Sequence, residues 1–118
     1  MQTAVKLVDN QRMRDDFSDE VKRALANRVG NDCSNPECHA PTSGPQLGSS
    51  KVLNIGVAAH STSASPGGPR FDPSLTSEQR SHADNGVWLC QNCAKLVDND
   101  VGRFSEPLLR AWKTIAED

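Results

Sequence analysis

Residues 84–100 read DNGVWLCQNCAKLVDND, and most of the fold can be worked out from them. Gly86 to Cys90 is a short apolar, β-prone run and predicts a strand. Cys90-x2-Cys93 is a tight pair that predicts a turn leading into a short helix. A second pair, Cys33-x4-Cys38, lies in DCSNPEC. Both spacings let a tight turn aim two thiolates at one ion, and tetrahedral zinc takes four such ligands. Cys33, Cys38, Cys90 and Cys93 are therefore expected to bind one structural zinc. The bland alternative is four unrelated buried thiols, but all four cysteines fall in turn-like pairs. His39 adjoins Cys38 and is an alternative ligand or a bystander.

The rest of the chain is consistent with a domain that needs such a staple. It has 118 residues, with 36% hydrophobic and 4% aromatic content: two Trp, three Phe and no Tyr. A core this thin usually needs a disulfide or a metal. No apolar run resembles a leader or a membrane span, so a cytoplasmic location is the expectation. In reducing surroundings the cysteine pairs read as metal ligands. The net charge of −2 argues against coating nucleic acid by bulk charge. A nuclease with a few cations at one groove remains compatible with it.

Outward from the pairs, residues 1–17 read as an N-terminal arm and 18–118 as one domain. Ser18 is an N-cap followed by Asp19 and Glu20. Val21, Ala24, Leu25 and Val29 recur at helical spacing and Gly30 supplies a stop, which predicts a helix over 19–29. Residues 40–50 read as loop, and KVLNIGVAAH (51–60) as one strand ending at His60. Residues 61–83 form a long polar loop, in which Ser74 or Thr76 can cap a short helix; loops of this length are usually functional. Ser105 and Pro107 open a last helix with Leu108, Leu109, Trp112, Ile115 and Ala116 on one stripe. Trp88 and Trp112 sit on apolar faces and read as core.

The segments AAH (58–60), DNGVWLC (84–90) and CQNCAKLVDND (90–100) together resemble the HNH nuclease family, over roughly residues 19–116. That resemblance implies an α+β, zinc-stapled ββα-metal fold with flanking helices. It implies a metal-dependent DNA endonuclease in which His60 is the general base and Asn85 pins the loop that fixes it. The plain alternative for His60 is a core histidine, and for Asn85 a turn residue in Asp84-Asn85-Gly86.

The sequence departs from the family at the metal. Ala59 and Ala94 stand where ligands are usual, and alanine cannot ligate. Asp98, one turn beyond Ala94, is the best remaining ligand for a catalytic Mg²⁺ or similar ion, with Asp100, Asn99 and Asp84 behind it. The alternative for Asp98 is a solvated acid at a helix end. In SASPGGPR (63–70), Arg70 is a candidate DNA-phosphate contact, with Lys95 and Arg80 as further candidates; a solvated turn arginine is the plain reading. The wording VAAH…PGGPR…DNGVWLC is similar to HNH domains fused to SAVED sensors of cyclic oligonucleotides in bacterial antiphage systems. That likeness implies DNA as substrate, a sensor domain or partner chain, and homodimerisation for cutting two strands. The competing expectation is a catalytically silent zinc scaffold that binds nucleic acid or a protein.

Overall fold

A computed structural model describes residues 14–118. Helix α1 spans Asp19–Arg28. The Ser18 hydroxyl accepts from the Val21 N–H at 3.1 Å, and Asp19 and Glu20 occupy the positive end of the helix. Gly30 (φ +63°) and Asn31 (φ +61°) then turn the chain away in the left-handed region. The first cysteine turn follows. A two-stranded antiparallel sheet comes next, β1 (Ser43–Pro45) with β2 (Val52–Asn54).

The second sheet pairs β3 (Val57–His60) with β4 (Gly86–Leu89), antiparallel, with Val57 opposite Leu89 and His60 opposite Gly86. Between these strands run the long loop, helix α2 (Ser77–Ser81) and a 3-10 turn (Ala83–Asn85). Thr76 caps α2 in a reciprocal box with Gln79. Helix α3 (Gln91–Asn99) leaves β4 directly, and α4 (Glu106–Glu117) is capped by Ser105.

All four residues of β4 are buried, because the sheet is covered on both faces. Val87 and Leu89 point into one cluster with Ala59, Ala94, Val97, Phe104, Leu109 and Trp112. Trp88 points the other way, into a cluster with Phe17, Leu25 and Ala26. This is the period-two alternation of a strand lying between two layers. Both tryptophans are core residues, and Trp88 also donates through Nε1 to Thr42 Oγ1 at 3.0 Å.

Three sequence expectations change here. The run 51–60 is two strands in different sheets, broken at Ile55-Gly56. A side chain at 56 would collide with the Trp88 indole, so the chain bends where glycine allows the ring to sit. Residues 40–50 are not all loop, since β1 lies within them; a Ser-Gly-Pro edge strand carries no apolar alternation to reveal it. Residues 14–17, expected in the arm, pack on the body: Phe17 is buried, and the Asp15 N–H donates to Ala64 O at 2.7 Å. The remainder of the arm, residues 1–13, lies outside the described residues. No helix among the described residues is long and apolar enough to cross a membrane.

Candidate functional site

The four cysteines converge as their spacing implies. One ligand atom from each of Cys33, Cys38, Cys90 and Cys93 lies within 4.8 Å of the others. The Cys38 and Cys90 sulfurs are 3.9 Å apart, close to the ~3.8 Å edge of a tetrahedron built on ~2.3 Å zinc–sulfur bonds. Local structure aims them. Cys90 is the N-cap of α3, and its sulfur accepts from the Cys93 N–H at 3.4 Å. Asn35 shapes the first turn: its carbonyl accepts from the Cys38 N–H and its side-chain amide donates to Cys93 Sγ at 3.5 Å. Burial pushes the Cys33 thiol up, and burial pushes the Cys93 thiol up to about 12. Burial also raises Cys90, but hydrogen bonds from the Cys93 N–H and the neighbouring thiols outweigh it and bring its pKa down. Ionising all four sulfurs at this spacing requires a cation, so the donor set fits a metal such as zinc. His39 is exposed and is not part of the cluster.

His60 ends β3 at the edge of a cavity of about 160 Å³ lined in part by Arg14, Ala59, Ser63, Arg70 and Asp98. Its Nε2 lies 2.8 Å from the Asp15 carbonyl oxygen. A carbonyl only accepts, so Nε2 carries the proton and a neutral ring leaves its lone pair on Nδ1. The Phe17 ring stacks on the imidazole at 3.9 Å between centroids and 10° between planes. Burial lowers the His60 pKa below its usual value, and Arg14 adds to this; the Asp15 hydrogen bond and the charges of Asp16 and Asp15 oppose it. The neutral form therefore prevails at neutral pH.

Asn85 is 2% exposed and uses both ends of its amide. Oδ1 accepts from the Thr62 N–H and Thr62 Oγ1, each at 3.1 Å, and from Arg110 at 3.3 Å. Nδ2 donates to Thr62 O at 3.2 Å and Arg80 O at 2.9 Å. Its own carbonyl accepts from the Ser61 N–H at 2.8 Å. The two residues after His60 are thus clamped to the start of β4.

The other candidate residues are distributed unevenly. Arg70, with φ +59°, is turned inward: it donates to Ser61 O, Val97 O and Phe104 O at 3.0–3.2 Å, and its side chain is 6% exposed. It lies 3.7 Å from Asp98, which remains 60% exposed on α3 and lines the His60 cavity. Arg70 thus ties the long loop to the C-terminal end of α3. Lys95 is exposed on α3 and is not among the cavity-lining residues. Arg80 is partly buried and paired with Asp15. Ala59 and Ala94 belong to the core cluster. Asp84 lines a different cavity, and Asp100 caps α3.

Sequence reading missed Arg14, Asp15 and Phe17. The arm has no periodicity, and only three-dimensional packing brings it over His60. RDDF offers one retrospective signal, an aromatic residue just before a helix cap.

No family model matches the chain, and no curated protein matches it. The described residues thus form a small α+β protein with two small antiparallel sheets, four helices and a four-cysteine cluster that can hold a metal.

Proposed function

We propose that this chain is an HNH-type endonuclease domain that hydrolyses DNA phosphodiester bonds, with a zinc ion on Cys33, Cys38, Cys90 and Cys93 as its structural staple. The observation that carries the reading is His60: a neutral strand-end histidine with Nε2 engaged, in a cavity shared with Arg14 and Asp98. The reading is supported by the antiparallel pairing of β3 with β4 and by α3 following β4 directly.

In this mechanism Nδ1 of His60 accepts a proton from water as the water oxygen attacks phosphorus. Asn85 holds Ser61 and Thr62 in place and so keeps the ring at its station. Arg14, whose guanidinium is exposed beside the cavity and paired with Asp16 at 2.8 Å, meets a non-bridging phosphate oxygen. Arg70 keeps its carbonyl contacts and acts as a strut, and Lys95 guides DNA from the outer face of α3. Toward a divalent ion the cavity offers one carboxylate, Asp98; such an ion would take its remaining ligands from water and phosphate, and would neutralise charge on the leaving oxygen.

A cytoplasmic antiphage effector, switched on when a cyclic-oligonucleotide sensor or a second copy pairs two such sites, fits this chemistry. A second reading, a silent zinc scaffold, is favoured by a specific observation: the two usual ligand positions are buried alanines, and Asp98 already has Arg70 beside it.

The test is plasmid cleavage with Mg²⁺, Mn²⁺ or Ni²⁺, beside His60→Ala and chelator controls, with zinc content measured in every sample. Nicking that needs both the added metal and His60 supports the nuclease. A zinc-loaded, folded sample that leaves DNA intact even when artificially dimerised selects the scaffold.

A further inference from the structure

The Asp15–Arg80 pair occupies a position that stability alone does not explain. The two side chains are 9% and 12% exposed, with nitrogen and oxygen 3.4 Å apart. Burying an ion pair gains little net stability, because desolvation offsets the attraction; fixing how two segments meet is the better-attested use of such pairs. Here the segments are the arm and α2, and the arm residue of the pair also touches His60.

Each group of Asp15 has a separate partner. Its N–H donates to Ala64 O at 2.7 Å, its carbonyl accepts from His60 Nε2 at 2.8 Å, and its carboxylate holds Arg80. Arg80 is equally connected. It donates to Asp72 O at 3.0 Å, lies over the Phe71 ring at 4.5 Å, and accepts from Asn85 Nδ2 at its own carbonyl. Arm and long loop therefore share one guanidinium, and Asn85 holds the same residue by its backbone carbonyl.

We infer that Asp15 and Arg80 are positioning residues, whose buried pair holds the Asp15 carbonyl on His60 Nε2 and so fixes Nδ1 as the nitrogen left to accept a proton. The kinetic consequence rests on the nuclease reading; the orientation of the ring does not. Phe17 secures the same contact from the other end, stacked on His60 and buried beside Leu25 and Trp88. The carboxylate of Asp15 does not touch His60. Changing that side chain therefore probes the latch while leaving the backbone acceptor in the chain.

The experiment uses the zinc-loaded full chain with ¹⁵N-labelled histidine, observed by NMR at neutral pH, with cleavage kinetics alongside. Wild-type His60 is expected to carry its proton on Nε2, protected from solvent exchange, with Nδ1 bare. In Asp15→Ala that protection is lost and the ring samples both tautomers. kcat then falls about 10- to 100-fold, with KM little changed, the loss that misplacing a reacting group brings. Asp15→Asn, which can still accept from Arg80, restores both signals. If Asp15→Ala does not hold zinc or melt cooperatively, Arg80→Ala makes the same comparison from the other side. A proton on Nδ1 in the wild type overturns the inference, as does unchanged Nε2–H protection in folded Asp15→Ala or Arg80→Ala. The NMR result decides this even if the wild type leaves DNA uncut, an outcome that would sink the nuclease reading alone.

Discussion

His60, the proposed base, lies in surroundings that act on its pKa in opposite directions. Burial and Arg14 lower it, while Asp15 and Asp16 raise it, with burial the largest influence and the net shift downward. Arg70 and Asp98 complete the charged lining of its cavity. A base works when unprotonated, so the rate should rise with pH through the folded pKa and level off above it. Because that pKa is lowered, the acid limb should centre below the usual ~6.5 of histidine. The same shift has a stability sign. Below ~6.5 the unfolded chain binds the proton more readily, so this group removes stability as pH falls through that window. A pH–kcat profile and melts from pH 5 to 8 check both; an acid limb above 6.5 would contradict the burial. Arg14 makes a separate prediction. Arg14→Ala should weaken DNA binding by a His60→Ala background protein and reduce the salt slope by about one counterion. An unchanged slope would remove Arg14 from the proposed DNA contact.

The elements differ in how well the sequence announced them. Caps were legible because capping is local chemistry: Ser18, Thr76 and Ser105 each accept from a backbone N–H three residues on. The four cysteines were legible because turn spacing and ligand chemistry coincide. The broken strand was not, since VLNIGV is mostly β-prone and a lone Asn or Gly inside such a run does not by itself end a strand; the Trp88 ring against Gly56 accounts for the break. Nor was the inward turn of Arg70, which is set by carbonyls 9, 27 and 34 residues away. Close packing of α1 on β4 yields a prediction at this scale. At Gly86 a Cβ would stand 2.5 Å from Leu25 Cδ1 and 3.1 Å from Phe17 Cζ. Gly86→Ala should therefore push α1 and the arm away from the sheet, destabilising by about 1–3 kcal/mol. A thermal melt measures it, and Leu25→Ala in the same chain should recover part of the loss from the clash. A melt identical to wild type would show that α1 yields freely.

For the molecule as a whole, the question is what keeps two modest clusters together. One contains Val87, Leu89, Val97, Leu109 and Trp112; the other contains Phe17, Leu25, Ala26 and Trp88. β4 separates them, and the cysteine cluster lies where the chain from α1 meets the start of α3. Cys33 is 1% exposed and belongs to the larger cluster, and the Ser34 N–H donates to Trp88 O at 2.9 Å. A metal bound there links a turn early in the fold to one more than fifty residues later. It also makes tolerable a set of thiolates that burial otherwise opposes. Binding energy at such a site is folding energy, since the unfolded chain presents no assembled site. Metal removal should therefore act globally rather than locally. The purified chain should hold one zinc per molecule. A strong chelator at neutral pH should abolish the near-ultraviolet signal of Trp88 and Trp112 together with the cooperative melt, and added zinc should restore both. Cys90→Ser should fail to retain the metal and melt like the chelated protein, because Cys90 is both a ligand position and the α3 cap. The effect should deepen as pH falls toward 5, where protons compete for the sulfurs. A metal-free chain with an unchanged melt would mean that the two clusters stand without the staple.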